Sequence, residues 1–258
     1  MTIEVLPQDR NILTKPLYEE VFSEDKGPFA DYYYEHVAPQ STIYVARDEA
    51  GIHAMVHLNP YLLWWSGEIV EIPYIVAVAT QEPYRHRGLM RSLLERIFAD
   101  LTAQHVPFAF LMPVDEAIYR PFGFVRTWPW RWEEEVILGA PAAGLCRGTS
   151  VFRMVAEGFS RSLAPGLSEP EKESALDELE RDEPVAIPAS DCSDETLQEL
   201  SSYVNRFLKE HFELFTYRSA AYYRRLDMEQ KASGSSGRLE ILFRDGSPVA
   251  ARQTERED

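Results

Sequence analysis

Cysteine is scarce. The 258-residue chain has two, Cys146 and Cys192, far apart and without a CxxC partner, which excludes a disulfide framework and a zinc ribbon. Long apolar runs are also missing. The most apolar stretch, 72–79, is far short of the ~20 residues needed to span a bilayer. Positive charge is the minority sign, with 26 Lys+Arg against 42 Asp+Glu and a formal charge of -16. That balance disfavours nucleic acid and anionic membranes as partners; it suits a cationic substrate, although solubility accounts for it equally well. The opening Met1-Thr2-Ile3-Glu4 has no basic stretch followed by an apolar run, so no signal peptide is expected and a reducing cytoplasm is the expected setting. No GxxxxGK[ST], GxGxxG, GxSxG or HExxH motif occurs. The six His never fall at metal-site spacing on a helix, so no metal is expected. His53 and His57 lie four apart in an expected strand, on one face, and read as polar sheet residues.

What is present is ordinary globular material: 45% hydrophobic residues with 5 Trp, 13 Tyr and 13 Phe. The length favours two domains. Residues 1–138 read as one α/β unit, with helices at 12–23 and 29–37 and strands at 42–47, 52–65 and 69–80, the second bent at Asn59-Pro60. Leu89, Leu93 and Ile97, widened by Met90, Leu94, Phe98 and Leu101, mark the strongest helix. A buried strand at 108–112, a helical turn at 115–119 and a strand at 124–137 complete the unit. Strand, helix and returning strand make a right-handed βαβ crossover. Residues 139–184 read as a linker, whose part 168–183 is acidic and solvated. Residues 185–258 form an incomplete second domain, with helices at 196–214 and 220–231 and a hairpin around Asp245-Gly246.

Chemistry concentrates at 85–96, where four Arg (85, 87, 91 and 96) accompany one acid, Glu95, in an otherwise acidic chain. This reversal of sign stands at the start of the best helix, after the most buried strand. Unpaired helix N–H groups, the helix dipole, Arg charge and a glycine that admits close approach together make a phosphate cradle. The same residues suit a solvated surface helix just as well. A second signal is Tyr119-Arg120-Pro121-Phe122-Gly123-Phe124. Its tyrosine suits proton donation to a thiolate, although on pattern alone packing is the more ordinary use for it.

Arg85-His86-Arg87-Gly88-Leu89-Met90 resembles the acetyl-CoA loop of the GNAT N-acetyltransferase superfamily, Arg/Gln-x-x-Gly-x-Gly/Ala, with Met90 where Gly or Ala is usual. Together with Ile118-Tyr119-Arg120-Pro121-Phe122-Gly123-Phe124 it is similar to the enhanced-intracellular-survival (Eis-like) branch. Residues 1–138 resemble the first acetyltransferase domain of that branch, and about 185–252 the start of its second. A C-terminal domain of the branch, whose terminal carboxylate is the proposed base, has no counterpart before Asp258, so the chain reads either as truncated or as one in which another group accepts the amine proton.

The resemblance implies a GNAT-like mixed sheet flanked by helices, followed by a partial second GNAT-like domain, and acetyl-CoA as acetyl donor. It implies that Val76, Ala77 and Val78 offer backbone to the pantetheine arm. Arg85, His86, Arg87, Gly88, Leu89, Met90 and Arg91 would hold the pyrophosphate, and Tyr119 would be the general acid. The expected activity is acetyl transfer to a primary amine (a small molecule or a lysine side chain) by direct attack in a ternary complex. Aminoglycosides, polyamines and protein lysines are the acceptors the family suggests. Asp31, Tyr32, Glu35, Trp64 and Glu71 are candidate substrate contacts, because acids and aromatic faces attract cations. The alternative is a catalytically impaired, truncated acetyltransferase scaffold that binds CoA or a partner; exposed sheet edges around 239–252 suit pairing with another chain, a homo-oligomer included.

Overall fold

The computed structural model describes residues 1–125, 184–234 and 237–254. They fall into two compact units, one of residues 1–62 and 70–125, the other of residues 63–69 and the described part of the remainder. The expected strand at 124–137, the acidic stretch 168–183, Cys146 and almost all of the expected linker lie outside the described residues.

The first unit is built on strands β1 (Thr2–Val5), β2 (Thr42–Asp48), β3 (Gly51–Trp65) and β4 (Glu68–Thr80), adjacent in that order. β1 pairs antiparallel with β2 (Ile3 opposite Ala46), and β2 antiparallel with β3 (Tyr44 opposite Val56). β3 and β4 are joined by Ser66-Gly67, both at positive φ (51° and 100°), as a two-residue hairpin turn of the favoured hand requires. Asn59-Pro60 causes no break: β3 runs through it, because β2 has ended by Leu58 and a missing N–H is tolerated where one neighbour is absent.

Helices cover both faces of this sheet. On one side α1 (Lys15–Val21) and α2 (Pro28–Tyr32) bury Leu17, Tyr18 and Ala30 with Tyr33 and Tyr34 against Ile43, Val45, Met55, Ala77 and Ala79. On the other, α3 (Leu89–Ala103) buries Leu93, Leu94 and Ile97 against Tyr44, Val56, Leu58 and Ile75. The apolar stripe read from α3 is the stripe it buries. The two earlier helices are less regular than expected. Residues Gln8–Thr14 wind as a 3-10 segment before α1, and α2 widens into a π-turn at Tyr33–Val37. Tyr32, Tyr33 and Tyr34 are all buried, and a wider turn brings consecutive bulky side chains to one interior more readily than a 3.6-residue helix does.

Residues 108–112 do not form a regular strand. A single parallel bridge joins Tyr74 to Phe110, through Ile75 N–H to Phe110 O (2.9 Å) and Phe110 N–H to Pro73 O (3.3 Å). Past that point no backbone bond joins the two segments among the described residues, so they part after Ile75. α4 (Glu116–Tyr119) follows, capped by the Asp115 carboxylate accepting from Ala117 N–H at 2.8 Å.

The second unit has a three-stranded antiparallel sheet, β5 (Val185–Pro188), β7 (Arg238–Arg244) and β8 (Ser247–Thr254), with β7 central. Here α5 (Asp194–His211) and α6 (Ala220–Ala232) bury Leu197, Leu200, Tyr223 and Leu226 on Leu239, Ile241 and Ala251. β6 (Leu214–Thr216) pairs antiparallel with residues 63–65. Among the described residues no helix is long and apolar enough to cross a membrane.

Candidate active site

β4 changes face in mid-strand. Ile75 enters the α3 core and Val78 packs against it, whereas Ala77 and Ala79 enter the α1/α2 core. Regular alternation would send residues 75, 77 and 79 to one side. The switch coincides with Ala77, whose φ is 51°. A non-glycine residue in the left-handed region costs of order 1–3 kcal/mol and marks a bulge held by its surroundings. The bulge lies just where residues 108–112 part from β4, and it re-aims the backbone of Val76, Ala77 and Val78 beside that gap. Ala77 is the smallest side chain in Ile75-Val76-Ala77-Val78, the one such conformation strains least.

β4 leads through a 3-10 turn, Glu82–Tyr84, to the loop at Arg85, His86, Arg87 and Gly88. His86 (φ 61°) and Gly88 (φ 79°) are both left-handed, and Gly88 is the N-cap of α3. No side chain caps the helix and no acid stands in its first turn. The N–H groups of Gly88, Leu89, Met90 and Arg91 find no backbone or side-chain acceptor among the described residues. Residues 85–88 and 91 are exposed, while Leu89 and Met90 turn their side chains toward the α3 core.

The arginines are directed by the local fold. Arg85 Nε donates to Thr80 O at 3.2 Å, folding back to the end of β4. Arg87 lies over the Tyr84 ring (4.9 Å) and Arg91 over that of Phe122 (5.1 Å), with Glu95 3.6 Å from its guanidinium. Arg96 is bound to Asp100 at 2.9 Å, so the positive charge at the helix start comes from Arg85, Arg87 and Arg91. An exposed turn with open amides and three guanidinium groups has the donor set that a pyrophosphate needs.

Tyr119, at the end of α4, is half-buried, with its ring edge-on to Phe124 (5.8 Å). Phe124 in turn meets Phe98 of α3 (5.8 Å). Burial raises its pKa above the usual 10, so it remains a phenol, able to donate, throughout the neutral range.

Of the five candidate substrate contacts, Asp31, Tyr32 and Glu35 lie on one helical segment, Glu71 on β4 and Trp64 in the second unit. Asp31 is ion-paired with Lys15. Tyr32 is buried between Phe29 and His36, and Glu35 and Glu71 are exposed. Trp64, in the second unit, stacks on Phe215 and carries Lys209 Nζ 3.9 Å from its ring centroid. Asp31 and Trp64 thus meet a lysine of the protein itself where a substrate cation was expected.

The support under the loop is not legible in the sequence. His53 is 4% exposed and stacks on Tyr84, with ring centroids 3.8 Å apart and planes 12° apart. Arg87 lies over that same Tyr84 ring. His57, on the same strand face, is fully buried against Tyr33 and Tyr34. Tyr33 Oη donates to Asn59 Oδ1 (3.0 Å), so it accepts from His57 Nδ1–H (3.0 Å). His57 Nε2 has no partner. Burial without an acceptor for a second proton pulls its pKa down to about 3, leaving it neutral. Both histidines are hydrogen-bonded members of the sheet. Nothing local in the sequence announces either network, since the partners come from distant turns and helices.

Residues 14–126 match the family described as the acetyltransferase (GNAT) domain. That stretch, less than half of the chain, is a GNAT-type acetyltransferase domain. A GCN5-related N-acetyltransferase from Ralstonia eutropha JMP134 is similar at 18% identity over 52% of this chain and 97% of that one (TM-score 0.42). A ribosomal-protein-alanine N-acetyltransferase from Brucella melitensis biovar Abortus 2308 is similar at 14% identity over 52% and 99% (TM-score 0.41). A conserved protein from Enterococcus faecalis V583 is similar at 19% identity over 48% of this chain; the match spans 32% of that longer protein (TM-score 0.43). No curated protein matches the sequence.

Proposed function

We propose that this chain is an acetyl-CoA-dependent N-acetyltransferase of the Eis-like kind, acting on a primary amine by direct attack in a ternary complex. The observation that carries the reading is the open start of α3: a left-handed Gly88, free amides, and Arg85, Arg87 and Arg91 around them. GNAT acetyltransferases use acetyl-CoA, and this donor set fits its pyrophosphate. Arg85, Arg87, Arg91 and the amides of residues 88–91 would hold the diphosphate. The backbone of Val76 and Val78, beside the gap after Ile75, would pair with the extended pantetheine arm as an added strand does.

Acetyl-CoA would supply a thioester-activated acetyl group; overall, a C–N bond replaces the C–S bond and the amine gives up one proton. The protein's part is to orient and to supply a proton. Backbone N–H near Val78 would face the developing oxyanion. Tyr119, kept protonated by burial, would hold its proton ready at Oη for the departing thiolate. Among the described residues no cysteine lies in these segments, which disfavours a covalent acetyl-enzyme. Glu35, exposed with only His36 3.9 Å away, and exposed Glu71 are the acids best suited to draw a cationic acceptor. The scarcity of cysteine suits a cytoplasmic setting.

The test is thiol release from acetyl-CoA against polyamines, aminoglycosides and lysine peptides, with CoA binding measured by calorimetry on the same sample. Tyr119→Phe keeps the ring against Phe124 and should lower turnover by about 10²–10⁴-fold, the usual worth of a positioned acid, while sparing CoA affinity. Full activity in that variant removes Tyr119 from the mechanism. Binding without turnover in the natural chain supports the scaffold alternative, and no CoA binding overturns the loop assignment.

A further inference from the structure

The hydrogen bonds around His53 determine its charge. Gln81 Nε2 donates to Glu20 Oε2 at 3.1 Å, which fixes the amide with Oε1 toward His53, 2.8 Å from Nδ1. A carbonyl oxygen only accepts, so Nδ1 carries a hydrogen. Nε2 lies 2.7 Å from Asp48 Oδ1, and a carboxylate likewise only accepts, so Nε2 carries one too. The bond from His53, with that from Ala50 N–H, holds the Asp48 carboxyl below its usual pKa, keeping Asp48 an acceptor. Reversing the Gln81 amide to suit a neutral imidazole would turn its oxygen onto the Glu20 carboxylate. A doubly protonated ring is therefore the state in which every partner is satisfied.

This ring is the base of a stack that ends at the proposed cofactor loop, with Tyr84 on His53 and Arg87 over Tyr84. We propose that His53 is a positioning residue for the anion loop, held as an imidazolium between Asp48 and Gln81 so that Tyr84, and through it Arg87, keeps its place. CoA affinity then follows the charge of His53. The inference rests on the assignment of residues 85–91 to CoA.

The charged groups around the imidazole are Asp48 at the end of β2, Glu20 of α1 behind Gln81, and Arg87 beyond Tyr84. Burial opposes the charge and Arg87 repels it, but the bonds to Gln81 and Asp48 with the Asp48 charge outweigh both, and His53 titrates above 6.5. A raised value means the clamp is complete at low and neutral pH and is lost as pH rises through the folded pKa. One ring nitrogen then turns a lone pair toward an acceptor oxygen, and the floor under Tyr84 loosens.

The experiment is calorimetric CoA binding by the full chain and by His53→Gln, from about pH 6 to about pH 9, the range in which a histidine changes charge. The variant removes the titrating group, so the difference between the profiles isolates it from ionisations of CoA. The natural chain should lose about tenfold in affinity across the range, a typical coupling, and His53→Gln should bind more weakly with no such loss. Parallel profiles overturn the proposal and leave the loop assignment standing. CoA binding by neither protein at any pH overturns both. The ¹⁵N shifts of the His53 ring in the natural chain give a separate reading that needs no variant and no ligand. Two protonated nitrogens at neutral pH support the proposal; a neutral tautomer overturns it.

Discussion

Gly88 shows how much one backbone conformation can contribute to a site. Its φ of 79° starts α3 from the left-handed region, and a Cβ built there would meet nothing within 4 Å. The cost of a side chain is thus conformational rather than steric. Gly88→Ala should cost about 1 kcal/mol, measurable by urea denaturation, and should weaken CoA binding by tilting the first amides of α3. Gly88→Asn, which tolerates the left-handed region better, should lose less of both. At this scale the sequence was partly legible. The sign reversal at Arg85, Arg87 and Arg91 in an acidic chain is visible without coordinates, and the loop it marks is the open helix start. The left-handed Ala77 was not visible, because alternation counts positions and a bulge changes the count. Nor was the His53–Tyr84 stack, which depends on a strand and a turn far apart in sequence.

Among the elements, α4 is too short to be stable by itself and depends on its ends. Asp115 caps its start at Ala117 N–H, Phe122 and Phe124 pack its sequel onto the α3 core, and Tyr119 stands between them. Asp115→Ala should therefore act on chemistry through position. We expect a loss of about 1 kcal/mol or less in stability and a fall of about tenfold in kcat, as small displacements of an acid produce. The KM for acetyl-CoA should be unchanged, and steady-state kinetics separates the two constants. The longer elements were readable from sequence because periodicity accumulates over several turns, as in α3, α5 and α6. The segment at 108–112 looked like a strand because it is apolar, yet only Phe110 pairs. Apolarity records burial, whereas strand pairing also needs a neighbour that stays alongside. β1, β5 and β6, of three or four residues each, offer too few positions for an alternating pattern to show.

Across the molecule, each unit has its own core and its own means of coping with buried polarity. In the second, Glu240 is buried with both carboxylate oxygens bound, by Arg238 and Arg252; in the first, His57 is buried and neutral. The value near 3 for His57 in the fold, against 6.5 ordinarily, means that between these limits the unfolded chain holds one proton more. Stability should therefore fall as the solution is acidified, by about 1.4 kcal/mol per pH unit from this group alone. Hydrogen exchange at β2 and β3 amides between about pH 6 and about pH 4 would show it, and His57→Phe should remove that part of the slope whatever its own stability. That residues 63–69 of the first hairpin belong to the second unit was not legible in the sequence, because the pairing of Trp64 with Phe215 depends on a three-residue strand with no pattern of its own.

The bulge at Ala77 has a meaning for inheritance. Between Ile75 and Ala79, left-handed Ala77 apart, the chain is tolerant of which small or branched residue stands at each place, since both sides are apolar. It is not tolerant of how many there are. An in-frame loss of the codon for Val76 or Ala77 would leave hydropathy nearly untouched and, by plain alternation, leave Val78 and Ala79 facing their own cores, yet it would erase the bulge and with it the re-aimed backbone beside the gap. For this stretch, a mutation that alters length is graver than one that alters letters.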